Sequence, residues 1–418
     1  MTVGRTGPSG DVMLRQTGTN LVLQGLTLAS KTILLFVLAR YLTVADVGVF
    51  GILSVTISLG VHLVGADFYA FNTREILARP EHAPRLIRDQ ALFHGLTYVL
   101  LAPAALILFA VDALSVPLLA ATVGLLVVEH VAQEIQRLLF TLSRPIPAAI
   151  CLFLRGGPWI YAIVAIFLLQ PELRTVETVV VAWLAGSTAA IAYGSYCLRD
   201  LNWADARAAP VDRAWIRRGL RVALPFLVST LAFRALLTVD RYALQLYWGS
   251  EAVGVFTFYA IFRNAIQGFL ESSVLFILRP HVITAHAQGD VARYRGTLVR
   301  MSWMTMGLLA VLALGAVVAI GPLLSFVGTP EYGEHRALLW PILIATGILA
   351  LSEIPHSALY AQGRDRALIA SAWLGLLAAV ILNVVLVPGG GPMGAAYATA
   401  GAALVVALVK GFLSVRSA

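Results

Sequence analysis

The string YLTVADVGVF at residues 41–50 decides how this sequence is organised, because YWGSEAVGVF at residues 247–256 repeats its first residue and its last four. The copies lie 206 positions apart in a chain of 418 residues, and each copy sits in a short polar break between two long apolar segments. A spacing close to half the chain length predicts an internal duplication. Duplicated sets of membrane helices with a site between the repeats are typical of secondary transporters.

The composition places this chain in a membrane. It is 59% hydrophobic and only 12% charged, and its mean hydropathy is +0.84. A soluble core of this size cannot bury so many apolar side chains, so the surplus must face lipid. The apolar runs show no alternation of apolar and polar residues, which favours helices over barrel strands.

Runs of about 20 apolar residues, the length that crosses the hydrocarbon layer, predict twelve transmembrane helices. They lie near residues 17–39, 47–71, 90–111, 115–137, 148–169, 176–197, 220–246, 252–277, 298–320, 336–360, 367–387 and 393–413.

Lys and Arg residues fall mainly on one side of the predicted spans. With the N-terminus placed inside, 23 of the 30 lie in inner segments, three lie outside and four lie within spans. This pattern satisfies the positive-inside rule. We therefore attribute the net charge of +8 to the membrane topology and to attraction between the inner segments and anionic lipid headgroups. We expect a multi-pass protein with both termini in the cytoplasm, membrane lipids as partners and no nucleic acid partner.

The longest polar stretch, Arg199 to Arg221, lies at the middle of the chain. It predicts a cytoplasmic linker over 199–221 between an N-terminal six-helix lobe, 1–198, and a C-terminal six-helix lobe, 222–418. Each lobe has an even number of spans, so both enter the membrane from the same side. The predicted fold is therefore all-α, with two lobes related by a pseudo-two-fold axis along the membrane normal, which allows alternating access.

Motifs for cofactors, metals and catalysis are missing from the sequence. There is no GxxxxGK[ST], HExxH or GxSxG motif, and the only lysines are Lys31 and Lys410. Cys151 and Cys197 fall inside predicted spans without a CxxC spacing, which disfavours a disulfide or a metal site. We expect no cofactor, no metal and no catalytic residue, and we expect an ion gradient to supply the energy.

Four cations inside predicted spans are candidates for function: Lys31, Arg234, Arg241 and Arg263. A buried ionised side chain is costly unless it faces a polar cavity or a partner. Lys31, Arg234 and Arg263 lie at least about eight residues from a helix end, too far to reach the interface. Arg241 follows Asp240 near the outer end, so it could instead pair with that carboxylate or reach the interface.

Polar residues accompany these cations at helical spacing. The first span carries Thr17, Asn20, Gln24, Thr27 and Lys31 on one face, and the seventh carries Thr230, Arg234, Thr238, Arg241 and Gln245. The eighth span adds Arg263, Asn264, Gln267 and Glu271. We predict a cationic, hydrated binding cavity lined by Lys31, Arg234, Arg263, Arg241, Asn20, Gln24, Asn264 and Gln267.

Three further residues are candidates for ion coupling. Glu353 and His356 lie one turn apart in the tenth span with Pro355 between them, and Asp67 lies near the inner end of the second. An acid and an imidazole in this position could titrate as the cavity alternates between the two faces of the membrane. The alternative is that Glu353 only ties the tenth helix to a neighbour.

Three segments resemble signatures of the Wzx-like polysaccharide transporters, the O-antigen flippases of the multidrug/oligosaccharidyl-lipid/polysaccharide (MOP) exporter superfamily. Residues 38–50, LARYLTVADVGVF, are similar to the signature that joins the first two helices of that family. Residues 240–256, from DRY to VGVF, resemble the signature between its seventh and eighth helices, and residues 388–399 resemble the start of its last helix. The likeness spans the full chain.

The resemblance implies a flippase of the bacterial inner membrane. It implies alternating access that moves an oligosaccharide linked to a polyprenyl pyrophosphate, of the undecaprenyl type, from the inner to the outer leaflet. It places the protein in surface polysaccharide biosynthesis, including lipopolysaccharide, with a glycan polymerase and other export components as partners. Lys31, Arg234 and Arg263 meet the need of the pyrophosphate for cations.

Two alternatives remain open. A multidrug or metabolite antiporter of the same superfamily would favour an anionic cavity for cationic drugs, whereas the mid-span charges here are basic. An integral membrane enzyme that processes polysaccharide would need a large outer loop or a His/Asp constellation, and the predicted outer loops are short.

Overall fold

The structure is a computed structural model that describes residues 10–101 and 116–415. Within these residues every regular element is helical. We number the α-helices α1 Gly10–Tyr41, α2 Val44–Gly65, α3 Phe68–Ala78, α4 Ala83–Leu101, α5 Val116–Thr141, α6 Pro145–Gly156, α7 Pro158–Leu169, α8 Val176–Cys197, α9 Trp203–Ala208, α10 Arg213–Leu236, α11 Val239–Leu270, α12 Phe276–Ala287, α13 Val291–Val327, α14 Pro330–Glu334, α15 Leu339–Ala361 and α16 Asp365–Val415. A π-helical turn, Glu271–Leu275, joins α11 to α12.

Eight helical segments among the described residues are long and apolar enough to cross a membrane. Two of them are too long for a single crossing, since Val239–Ala287 has 49 residues and Asp365–Val415 has 51. Each contains a glycine outside the helical region, Gly249 with φ 78° and Gly391 with φ 51°. These breaks fall between predicted spans, while the count of twelve stays a prediction.

Helix ends follow local sequence signals. Pro145 and Pro158 stand in the first turns of α6 and α7, where the missing N–H of proline costs no hydrogen bond. The hydroxyl of Thr175 accepts a hydrogen bond from the Thr178 N–H at 3.2 Å and caps α8. Gly328, with φ 75°, ends α13 in the left-handed conformation that glycine tolerates best.

The described residues form two compact units. The first contains those of Met1–Leu34, Gly60–Ala110 and Ser115–Leu224, and the second contains those of Leu35–Leu59 and Pro225–Ala418. The end of α1 and most of α2 therefore pack with the C-terminal helices. The lobe boundaries predicted from the sequence remain a prediction.

The predicted linker is ordered and packs on the first unit. Arg85 on α4 donates two hydrogen bonds to the Asp205 carboxylate, at 2.6 and 3.0 Å. Arg144 binds Asp200 in the same two-pronged way, at 2.6 and 2.9 Å. The hydrogen bond from Arg85 lowers the pKa of the Asp205 carboxyl below its usual value.

The second unit has an aromatic core where α11 meets the segment before α15. Phe258 stacks on Tyr332 with ring centroids 4.4 Å apart. The Tyr259 hydroxyl donates a hydrogen bond to the Tyr332 carbonyl at 2.5 Å, so this buried phenol keeps a polar partner. The core fixes α11, which carries several of the candidate site residues.

Candidate functional site

A cavity of about 370 Å³ lies within the second unit. Helices α10, α11, α12, α13, α15 and α16 and the π-helical turn contribute its walls. Four residues predicted from the sequence line it: Arg234, Gln267, Glu353 and His356. The other charged residues of its lining are Arg279, Lys410 and Glu271. With three cations against two carboxylates, the lining of this cavity has a net positive charge.

Glu353 binds two of the three cations. Its carboxylate lies 2.9 Å from Nη2 of Arg279 on α12 and 3.5 Å from Nζ of Lys410 on α16. Arg279 Nε also donates to the Ser357 hydroxyl at 3.3 Å, and that hydroxyl donates to the Glu353 carbonyl at 2.7 Å. One carboxylate thus holds three helices together and leaves a surplus of positive charge beside the cavity.

Arg234 reaches the cavity from the last turn of α10, and its side chain is exposed. A cation is favoured there because the carbonyl ends of a helix carry partial negative charge. The Thr238 hydroxyl, one turn later, donates to the Arg234 carbonyl at 3.0 Å, so the helix end is satisfied locally. The C-terminal end of α10 therefore positions the Arg234 guanidinium at the cavity.

His356 lines the cavity one turn after Glu353. Its Nδ1 atom is buried without a hydrogen-bond partner. Pro355 lies inside α15 and cannot donate a backbone hydrogen bond. The imidazole therefore adds a polar group to the cavity wall, and its role in ion coupling stays a prediction.

Arg241 and Arg263 do not line this cavity. Both are only 4% exposed, and both bind Asp240, at 3.1 Å from Arg241 Nη1 and 3.6 Å from Arg263 Nη1. The Thr399 hydroxyl donates to the same carboxylate at 3.3 Å. Besides substrate binding, the sequence left two alternatives for Arg241, which were pairing with Asp240 and reaching the membrane interface. The structure shows pairing with Asp240.

The remaining polar residues of the predicted cavity lie apart from it. Asn264 is exposed and is not part of the lining. The side chains of Asn20 and Gln24 lie outside the described part of the structure. Their proposed roles stay predictions.

Lys31 belongs to the first unit and is exposed there. It lies close enough to Arg155 and Glu129 for their charges to interact with its own. Arg155 Nε binds the Glu129 carboxylate at 3.1 Å, and that carboxylate also accepts hydrogen bonds from Ser187 at 2.7 Å and Trp183 at 3.2 Å. Lys31, Arg155 and Glu129 therefore form a cluster of two cations and one carboxylate in the first unit, and the binding role of Lys31 stays a prediction.

Asp67 also lies in the first unit, 6% exposed, between α2 and α3. Its Oδ1 atom is 3.7 Å from His62 Nδ1. Its backbone is left-handed, with φ 48°, a conformation that Asp adopts more readily than most residues. The predicted coupling residues are therefore divided between the two units.

Three cations of these clusters were not among the candidates predicted from the sequence: Arg155, Arg279 and Lys410. The charge count above places Arg155 and Lys410 in inner segments, although both lie within the predicted spans 148–169 and 393–413, near their inner ends. Arg279 lies two residues beyond its predicted span. Its approach to Glu353 depends on the packing of α12 against α15, which no local pattern shows.

Comparison with known proteins gives one family and one fold. Residues 13–280 match the model of a family described as "Polysaccharide biosynthesis protein". No curated protein matches the chain in sequence.

Solved structures with the same fold come from the MOP superfamily. A multidrug resistance MATE family transporter in an inward-facing conformation superposes with a TM-score of 0.75 at 13% identity, covering 95% of this chain and 98% of its own. The lipid II flippase MurJ, inward closed, gives a TM-score of 0.74 at 12% identity, covering 96% and 87%.

A third structure is a MOP superfamily transporter from Pyrococcus furiosus, described by a reverse polarity of its binding pocket. Its TM-score is 0.59 at 15% identity, covering 96% of this chain and 93% of its own. These likenesses confirm the predicted all-α, two-lobed membrane fold, and the matched family covers well over half of the residues. The chain therefore belongs to the polysaccharide biosynthesis protein family and has the fold of the MOP superfamily.

Proposed function

We propose that this protein is a flippase that moves a polyprenyl-pyrophosphate-linked oligosaccharide from the inner to the outer leaflet of the bacterial inner membrane. It would do so by alternating access, for surface polysaccharide biosynthesis. The observation that carries this proposal is the cluster of Arg234, Arg279 and Lys410 around a single cavity inside a membrane fold. A pyrophosphate is the anionic part of such a lipid, and arginine binds phosphate oxygens with two parallel hydrogen bonds.

The roles of the cavity residues follow from their contacts. Arg234 would bind the pyrophosphate together with Arg279 and Lys410, because all three cations line the cavity. Gln267 would add amide hydrogen bonds from α11. Lys31, in the first unit, would be a second cation that meets the anionic headgroup.

A reconstitution experiment tests this function. Proteoliposomes containing the protein and a fluorescent undecaprenyl-pyrophosphate oligosaccharide are assayed for exposure of the sugar on the opposite leaflet. We expect flipping by the parent protein and at least about a tenfold loss with Arg234→Ala, because a charge-assisted hydrogen bond contributes about 1.5–3 kcal/mol.

Arg295→Ala is the matched control, since Arg295 is exposed and lies outside the cavity lining. It should flip at the parent rate. Flipping that is equally fast in protein-free liposomes, or unchanged in Arg234→Ala, would contradict the proposal.

Multidrug antiport is the main alternative within this fold. A cavity for cationic drugs needs excess negative charge, whereas the charged lining here contains three cations and two carboxylates. An enzyme that processes polysaccharide is less consistent, because the solved structures with this fold named above are transporters and a lipid flippase. Transport of an ethidium-type cation without flipping would favour the antiporter.

The proposal also includes topology. The positive-inside pattern supports both termini, and the segment 199–221, on the cytoplasmic side of the inner membrane. Cysteines introduced at exposed linker positions should resist membrane-impermeant maleimide in intact cells and react after lysis. Labelling of the linker from outside the cells would overturn this orientation.

A further inference from the structure

The first half of α10 has a buried face that packs on α3 within the first unit. Trp215, Gly219 and Ala223 follow one another at steps of four residues, so they lie on one side of the helix. The ring centroid of Trp215 lies 5.2 Å from that of Phe68 and 5.4 Å from that of Phe71. A Cβ atom on Gly219 would overlap both phenylalanine rings. This close packing fixes which side of α10 faces outward.

The outward side of the same half-helix is basic. Arg213, Arg217 and Arg221 also follow at steps of four residues, about half a turn away from Trp215 and Gly219, and all three are exposed. We call these three residues the arginine stripe. Because helical side chains lean toward the N-terminus of their helix, the charges of the stripe gather at the start of α10.

The carboxylates nearest to the arginine stripe in the chain are already engaged. Asp205 binds Arg85 at 2.6 Å. The Asp212 carboxylate accepts a hydrogen bond from the Trp215 N–H at 2.8 Å and so caps the start of α10. Within the described residues no member of the stripe forms an ion pair. The outward side of α10 therefore presents three positive charges that the first unit does not neutralise.

Apolar side chains continue the same side of the helix. Leu220 and Leu224 lie in line with the arginine stripe and are 38% and 52% exposed. The segment Arg213–Leu236 is long and apolar enough to cross a membrane, and only 22% of its most apolar part is buried. Positive charge at the helix start thus leads directly into exposed leucines. A phospholipid has the matching order, with a charged headgroup followed by acyl chains.

We propose that this side of α10 is a binding site for an anionic phospholipid of the surrounding bilayer. The lipid phosphate accepts charge-assisted hydrogen bonds from Arg217 and Arg221, and an acyl chain packs along Leu220 and Leu224. The exposed leucines favour a lipid over a soluble phosphate, since only a lipid brings an apolar chain beside the anion. No residue of this site lines the cavity described above, so the site is separate from the proposed transport site.

Native mass spectrometry of the purified protein counts the lipids that remain bound. The protein in detergent is titrated with phosphatidylglycerol, which is anionic, and with phosphatidylcholine, which has no net charge. We expect the parent protein to retain phosphatidylglycerol in preference to phosphatidylcholine. The double variant Arg217→Gln with Arg221→Gln should retain one phosphatidylglycerol fewer at equal lipid concentration, because losing two arginines weakens binding at this site by more than about tenfold.

Arg336→Gln is the matched control, since Arg336 is an exposed arginine in the second unit. It should retain as many phosphatidylglycerol molecules as the parent. The proposal is overturned if the double variant retains the same number as the parent, or if the parent holds both lipids equally well.

A second variant distinguishes a lipid from a soluble anion. Leu224→Ala removes apolar surface but keeps the arginine stripe, so it should weaken retention of phosphatidylglycerol. Glycerol phosphate has the same anionic group without acyl chains, and it should not displace the bound lipid at equal concentration. Displacement by glycerol phosphate, together with unchanged retention in Leu224→Ala, would identify a site for soluble anions and overturn the lipid site.

The substituted arginines are exposed, so thermal unfolding of the double variant should match that of the parent. If the double variant cannot be produced, the salt dependence of the parent decides. A preference for phosphatidylglycerol that falls as salt rises supports the charge contacts, and a preference that salt leaves unchanged refutes them. Because no lipid-linked oligosaccharide is used, failure here leaves the proposed flippase function standing.

Discussion

Gly48 and Gly254, the glycines of the two VGVF strings, pack reciprocally where α2 crosses α11. A Cβ atom on Gly48 would overlap the Ser250 carbonyl, and a Cβ atom on Gly254 would overlap the Val44 carbonyl. Both glycines are buried. The repeated VGVF string that predicts the duplication therefore also forms a close helix–helix contact at this crossing, as small residues allow between membrane helices.

Replacing either glycine by alanine should destabilise the second unit. The overlapped atoms are backbone atoms, so no side chain can move aside, and we expect a loss of about 1–3 kcal/mol or more. Thermal unfolding in detergent measures this effect. Gly307→Ala is the matched control, because a Cβ atom there meets nothing within 4 Å; equal stability of the three variants would refute the close contact.

The Asp240 cluster predicts an order of stabilities. Asp240→Asn should be more damaging than Arg263→Ala, because it leaves two buried guanidinium groups without their carboxylate. Breaking a buried charge pair costs about 3–5 kcal/mol. The double variant Asp240→Asn with Arg263→Met should recover part of that loss. A double variant less stable than Asp240→Asn alone would show that Arg263 has another partner.

Arg234 should be sensitive to geometry as well as to charge. Arg234→Lys keeps the positive charge but loses the two-pronged guanidinium, so we expect flipping between that of the parent and that of Arg234→Ala. The rate of headgroup exposure in proteoliposomes measures it. Because Arg263 is buried in an ion cluster, Arg263→Ala should lower stability and flipping together, whereas Arg234→Ala should lower flipping alone.

A Glu353→Gln variant distinguishes a role of this residue in ion coupling from a purely structural role. Glu353→Gln keeps the size of the side chain but removes the charge that binds Arg279 and Lys410. If Glu353 takes part in ion coupling, we expect slower flipping and a weaker response to an imposed pH or sodium gradient, with little change in the unfolding temperature. A large fall in unfolding temperature with an unchanged gradient response would assign Glu353 to holding α12, α15 and α16 together.

The docked linker should be stable over the physiological pH range. The folded-state pKa of Asp205 is lowered by its hydrogen bond from Arg85, so this contribution is complete above the unfolded value of about 3.9. It is lost only as the pH falls through the lower folded-state pKa. Protease cleavage of the linker should therefore be unchanged from about pH 8 to pH 5, and Arg85→Ala should accelerate it throughout.

The exposure of this ion pair gives a second check on the linker. Both side chains are well exposed, so salt should weaken their attraction. Cleavage that is insensitive to both salt and Arg85→Ala would mean that α9 is held by its apolar contacts instead.

The membrane class and the helical fold follow from the sequence alone, and the repeated VGVF string predicts a duplication. Apolar segments of about 20 residues are long enough to cross the membrane and face lipid. Backbone N–H and C=O groups in lipid must form their hydrogen bonds within the helix, which favours α-helices. The positions of Lys31, Arg234 and Glu353 inside such runs marked them as candidates for the same reason. These are local properties, readable from residues close together in the chain.

Which of these charges meet depends on how the helices pack. Arg234, Glu353 and Lys410 come from three helices and line one cavity, whereas Arg263, only 29 residues after Arg234 in the sequence, is buried against Asp240. The free-energy cost of burying a charge identifies each charged residue as a candidate from the sequence. The identity of its partner depends instead on how helices distant in the chain pack. For that reason the sequence could nominate cations for the site, and the packing of α10, α15 and α16 selected among them.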